Sequence, residues 1–326
     1  MRIAVTSQDG TGDFTFSGEP WNSFAENLLN SDDRLVSVYD NPDVLIMNNY
    51  AGKLYRKSKV NSEQRSFLII WEPPTNMPAN FSEKNLNKFK QVYFPSPIWS
   101  KQYRGEYFAW PQAKKLIENQ KKWEERQPRV CFIQANRWSF ISGEQYSLRR
   151  KVLGQMNSHV DIFGSKWNLG ILRDSMNAIK SLRSISSREN LSFHCLVNIG
   201  QRFDNYFGNA IDKIETLSDY RYSLVIENSL EYISEKLVDA ILAGTVPIYV
   251  GPDLELCGFP SGIAITCKPE VNEIEASIRS LLTDRSLADS VLLAGKRFIT
   301  SPEFAAMENT KVLSDLARRI SHKIHS

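Results

Sequence analysis

Cysteine and histidine are scarce, with four of each among 326 residues. Cys131, Cys195, Cys257 and Cys267 lie far apart and form no C-x-x-C pair. That spacing speaks against a zinc cluster or a disulfide scaffold and for buried free thiols in a reducing compartment. No H-E-x-x-H motif pairs the histidines. His322 and His325 fall in the last five residues, where fraying is expected rather than catalysis. No window approaches ~18 consecutive apolar residues, so no transmembrane helix is expected. The start, "MRIAVTSQDG", has a strand and a turn where a signal peptide would carry an apolar core. A cytoplasmic location is the default expectation. An excess of one charge is also missing: 40 basic and 37 acidic side chains leave +3. Nucleic-acid binding by bulk charge is therefore not indicated, although a local basic pocket for a phosphorylated ligand is allowed. "GTGDFT" fails the dinucleotide fingerprint, because Thr15 stands where a third glycine belongs.

What the chain does have is apolar content of 42% against 24% charged residues, the balance of a folded protein long enough for two domains. "RIAV", "DVLIM", "SFLIIW" and "QVYF" are short apolar runs bounded by polar or turn residues, as buried strands are. "EPWNSFAENLLN" predicts a first helix. The charged stretch "AKKLIENQKKWEERQPR" predicts a solvated helix or linker, and the domain boundary is placed there. A second strand series follows: "RVCFIQA", "VDIFG", "YSLVIE", "VPIYVG" and "GIAIT", with helical patterns between. Strands alternating with helices imply parallel sheets. Two such halves predict an α/β protein of two facing Rossmann-like domains, residues 1–125 and 126–305. The remaining 306–326 is an amphipathic helix packed back on the body, with Val312, Leu316 and Ile320 on one stripe.

In "IENSLEYISEK" (Ile226 to Lys236) acidic, amide and basic residues collect where a buried strand hands over to a helix. In open α/β sheets this is where ligands gather, and the free N–H groups of a helix start attract phosphate. Lys236 in the first helical turn opposes the helix dipole by a few tenths of a kcal/mol, which makes sense if an anion sits there. The bland alternative is that it bridges Asp239 at i+3. Glu235 and Asp239 are like charges at i, i+4 and mildly repel. Asn228 could be only a helix cap, and Tyr232 only core.

The segment "YRYSLVIENSLEYISEKLVDAILAGTVPIYVGP" (Tyr220 to Pro252) resembles the signature of the α-1,3/1,4-fucosyltransferases, glycosyltransferase family ten. There it runs roughly Y-K-F-x-L-x-F-E-N-S, a loop, Y-I-T-E-K-L, an apolar helix, A-G-x-V-P-V and a Gly-Pro turn. "RVCFIQANRWSFISGEQYSLRRKVLGQMNSHVDIFG" and "LIIWEPPTNMP" match further family stretches in the right order. The chain departs from the pattern in a longer Gly164–Tyr220 region, a short loop after Asn228, and Ile226 in place of Phe.

The resemblance implies the GT-B arrangement, GDP-L-fucose as donor, a glycan hydroxyl as acceptor (O3 of GlcNAc or Glc), and inversion at the sugar carbon with no cofactor or metal. No D-x-D motif is present to hold a metal-bridged diphosphate. The same resemblance implies Glu72 as catalytic base and Arg149 (with Arg150 as the alternative register) and Lys236 as diphosphate ligands. Glu235 would take sugar hydroxyls, Asn228 and Tyr232 would orient phosphates and sugar, Asn136 would assist at a strand end, and Glu227 would be structural beneath the site. A different nucleotide-sugar donor, or a silent glycan- or nucleotide-binding homologue, are the competing readings. Trp71, Trp99 and Trp110 would suit sugar stacking or, more commonly, core packing.

Overall fold

The short apolar runs form the strands of two parallel sheets in the computed structural model, which describes residues 1–60, 65–113, 121–156, 158–183 and 191–326. The chain divides into two units, Met1–Gln112 with Ala306–Ser326, and Ala113–Ala305. Of the charged stretch read as helix or linker, residues 114–120 lie outside the described residues; of the rest, Trp123–Glu125 form one short 3-10 turn, and Gln127 to Arg129 are not linker but the start of the next strand.

In the first unit β1 (Arg2–Val5), β2 (Arg34–Leu35), β3 (Val44–Asn48), β4 (Ser66–Ile69), β5 (Gln91–Phe94) and β6 (Glu106–Tyr107) pair in the order β2-β1-β3-β4-β5-β6. Every pairing is parallel. All residues of β3 and β4 are buried rather than alternating, as expected for strands covered on both faces. The crossovers carry α1 (Trp21–Leu28), α2 (Gly52–Ser58), α3 (Glu83–Leu86) and α4 (Pro97–Gln102). At α4 the hydroxyl of Ser96 accepts from the Trp99 amide at 3.3 Å, and Pro97 supplies a first residue with no amide to satisfy. Trp71 and Trp99 are buried, so core packing accounts for both. The Trp71 indole donates to Asn48 Oδ1 at 2.8 Å.

The helix Asn309–His325 completes this unit's core: Val312, Leu313, Leu316 and Ile320 pack in one cluster with Ile3, Phe24, Leu28 and Ile46. The expectation of a frayed end is overturned. His322 and His325 are helical, and His325 Nε2 lies 2.9 Å from Asp33 Oδ2. The tail's cations pair within the chain, Lys323 with Glu106 at 2.9 Å and Arg319 with the same carboxylate and the Tyr107 carbonyl.

In the second unit β7 (Gln127–Ile133), β8 (Val160–Phe163), β9 (Tyr220–Ile226), β10 (Val246–Val250) and β11 (Ile265–Thr266) are again all parallel, in the order β11-β10-β9-β7-β8. Its helices are α5 (Tyr146–Gln155), α6 (Ile171–Arg183), α7 (Lys213–Ser218), α8 (Lys236–Leu242), α9 (Val271–Thr283), α10 (Arg285–Ile299) and α11 (Pro302–Ala306). The strand order reverses direction between β7 and β9: the chain runs outward from β7 to β8 and, on the other side, from β9 through β10 to β11. Such a reversal opens a crevice at the carboxyl ends of the two central strands. The helix α8 stops at Gly244. Gly244 has φ 70°, and the Arg126 guanidinium donates to the Ala243 and Gly244 carbonyls at 3.0 and 2.6 Å, satisfying the orphan end of α8.

Candidate functional site

The reversal point brings together the segments that leave β7 and β9. Glu227, directly after β9, is fully buried. A carboxylate there needs several donors, and it has them. The Ser234 amide donates at 2.9 Å, the Ser234 hydroxyl at 3.0 and 2.8 Å to the two oxygens, and Lys236 Nζ at 3.2 Å. Lys236 also donates to Ser234 Oγ at 2.7 Å. The first helical lysine therefore points back to the strand end, not to Asp239. Glu227 holds the loop 227–235 against β9 and fixes the lysine at the start of α8.

Arg149 reaches the same place from α5. It is 2% exposed, and its Nη2 donates to the Ile226 carbonyl at 2.5 Å and to Asn228 Oδ1 at 2.8 Å. The guanidinium lies over the Tyr146 ring, 4.9 Å from its centre. Its buried Nε has no partner among the described residues. Burial lowers its pKa to about 10, opposed by the Tyr146 and Glu227 oxygens, so it stays charged at neutral pH. Its neighbour Arg150 does something else. Every hydrogen bond it makes ties loops together: Nε to the Val197 carbonyl, Nη1 to Asn136 Oδ1 and the Arg137 carbonyl, Nη2 to the Cys195 carbonyl, with the Trp138 ring 3.9 Å away. Asn136 spends its side chain on Arg150 and the Lys166 carbonyl. These two form a separate buried brace. Tyr232 is buried as well.

Glu235 caps α8 by position and pairs with Lys213 Nζ at 3.0 Å, an ammonium that also reaches Asp239 Oδ2 at 3.5 Å. Partial burial pushes the Glu235 carboxyl up, but Lys236 and Lys213 outweigh it and bring it down to about 2. Asp239 goes the other way. Burial, reinforced by Glu235 and opposed by Lys213, lifts it to about 6.

The two shifts act on stability with opposite signs. Folded Asp239 holds its proton more tightly than the unfolded chain does, so its contribution falls as pH rises from about 4 to about 6, by an amount on the order of 2 kcal/mol. The Glu235 contribution is present above its unfolded value of 4.5 and is lost as pH falls toward 2. Asp239→Asn should therefore flatten the decline between pH 4 and 6 in urea-midpoint measurements. An unchanged slope would contradict the assignment.

Glu72 belongs to the first unit, in the turn after β4. It is half-buried. Its amide donates to Asn49 Oδ1 at 3.3 Å, and its Oε2 accepts from the Asn76 side chain. The Asn76 and Met77 amides both donate to the Pro73 carbonyl, forming the tight turn that carries it. Sequence reasoning did not single out Lys213 and Ser234; each acts through a partner brought close only by folding.

No family model matches the chain. A stretch of 69 residues is 35% identical to a fucosyltransferase-like protein of Arabidopsis thaliana, covering 19% of this chain and 14% of that protein. A stretch of 58 residues is 45% identical to the Homo sapiens 4-galactosyl-N-acetylglucosaminide 3-alpha-L-fucosyltransferase 9, covering 17% of this chain and 16% of that one. The matched stretches thus span 14% and 16% of these relatives' length. Among solved structures, Anabaena HepE, determined with UDP and glucose, aligns over 99% of this chain and 100% of its own at 13% identity and a TM-score of 0.55. A glycosyltransferase from Rickettsia africae aligns over 100% and 98%, at 11% identity and a TM-score of 0.51. The chain has the two-Rossmann (GT-B) class of fold found in solved glycosyltransferases and, over part of its length, is a sequence relative of the α-1,3-fucosyltransferases.

Proposed function

We propose that the protein is an inverting glycosyltransferase that moves L-fucose from GDP-fucose to a hydroxyl of a glycan acceptor, O3 of a GlcNAc or Glc unit. The observation that carries this reading is the pair of cations, Arg149 and Lys236, fixed on the one segment 226–228 at the carboxyl end of β9. A guanidinium and an ammonium placed there suit a diphosphate, which guanidinium can bind through two oxygens at once.

In the reaction the acceptor oxygen loses its proton to Glu72 and attacks the anomeric carbon. The bond from that carbon to the diphosphate breaks on the opposite side, which inverts the configuration. The two electrons of that bond leave with GDP. Arg149 and Lys236 stabilise the negative charge that develops on the leaving phosphate, in a site whose dipoles are already fixed. Asn228, held by Arg149, orients the phosphates. Glu235 accepts from sugar or ribose hydroxyls once Lys213 shares its charge, and Tyr232 shapes the wall. Asn136, by way of Arg150, supports the loop instead of touching the donor.

A thermal-shift panel of GDP, UDP, ADP and CMP tests the donor. At about 100 times its dissociation constant a nucleotide that binds only the folded chain adds about 2.7 kcal/mol, so GDP should raise the melting temperature by several degrees and the others by little. A UDP preference would replace the donor, and a shift with no transfer to any lactosamine-type acceptor would make the protein a binding homologue.

A further inference from the structure

The helix α6 is built inside out. Its inward face carries Asp174 and Ala178, 2% and 3% exposed, and Asp174 Oδ2 accepts from the Gly200 amide at 3.1 Å. Its outward face carries Leu172, Met176 and Ile179 at the i, i+4, i+7 spacing of one stripe, and they are 79%, 55% and 50% exposed. A solvated helix places polar residues there, so an apolar stripe turned to the outside marks a surface that something covers. The charge on the helix says what. Arg173 and Lys180 are exposed beside the stripe, while its one acid, Asp174, is turned inward. The outer face thus combines apolar side chains with positive charge alone. Two copies of such a face would bring like charges together.

We infer that α6 is an in-plane membrane contact, with the Leu172–Met176–Ile179 stripe inserted at the level of anionic lipid headgroups and Arg173 and Lys180 paired to their phosphates. That arrangement is the pattern of interfacial amphipathic helices, in which buried apolar area and attraction to anionic lipid add. It depends on no residue assigned to sugar transfer.

Vesicle co-sedimentation of the full chain tests it, using phosphatidylcholine vesicles with and without phosphatidylglycerol. The wild type should bind the anionic vesicles and scarcely bind the neutral ones. Arg173→Glu with Lys180→Glu should weaken binding by roughly 30-fold or more, since each cation near an anionic surface contributes about fivefold. The triple change Leu172→Ser, Met176→Ser, Ile179→Ser should abolish it while leaving the melting temperature and the GDP-induced shift in place. Vesicle binding that survives the triple change would overturn the inference. So would a wild type that ignores both vesicles, including one whose mass in light scattering doubles with concentration only while the stripe is intact; a second copy would then be the cover.

Discussion

Glu72→Gln is expected to reduce kcat by about 10²–10⁴-fold, the usual contribution of a positioned general base, while the GDP-induced thermal shift stays as in the wild type. The substitution keeps the shape of the side chain and an oxygen for Asn76, and it leaves the Asn49 contact to the backbone amide untouched. What it removes is the ability to take a proton. Single-turnover transfer to a lactosamine-type acceptor at saturating donor is the measurement. If the variant transfers at the wild-type rate, the base is another group, and the only role left to the turn after β4 is structural.

Lys236→Met has the second large expected effect, and it acts on two quantities at once. Glu227 has no exposed surface, and among the described residues its carboxylate accepts from Ser234 and this ammonium. Removing the ammonium leaves the buried carboxylate with hydroxyl and amide donors and only the more distant Arg149 charge to offset it, and breaking a buried pair typically costs about 3–5 kcal/mol. Loss of donor binding should accompany the loss of stability. A companion variant separates the two. Glu227→Gln together with Lys236→Met removes both charges and keeps a group that can meet Ser234, so most of the stability in urea should return. Donor affinity should not return with it, because the diphosphate still lacks its ammonium. If the double variant regains GDP binding as well, Lys236 serves the fold alone.

Much of this arrangement was legible in the sequence because it is local. Apolar runs mark β3, β4 and β10, and the Leu224–Ile226 end of β9, and in a parallel sheet they read as continuous hydrophobic stretches instead of alternating ones. Gly244, with Pro247 after it, marks the end of α8 for the same reason: helix termination is written in a few adjacent residues. The two-residue strands β2 and β6 carry no such run and were not legible. Nor were the pairings that decide what each charge does. Lys236 has an acid three residues ahead on its own helix, and local spacing offered that bridge as the alternative; the partner is Glu227, nine residues back across a loop. Glu235 meets Lys213 across 22 residues. Arg149 and Arg150 are consecutive in sequence and alike in chemistry. Only the loops around them show that one faces the strand end and the other braces Asn136 and Cys195. The face of α6 was hidden for a related reason. Its spacing is that of any amphipathic helix, and a pattern of positions does not say which side is turned to the interior.

The return of the last helix to the first unit has a consequence for how the protein is made. Residues 113–305 are continuous, so they can collapse as soon as they emerge from the ribosome. The sheet that is synthesised first must wait. Ile3, Phe24, Leu28 and Ile46 lack the cover of Val312, Leu316 and Ile320 until those residues have been translated. The half that is born earlier is thus the half whose core is completed later.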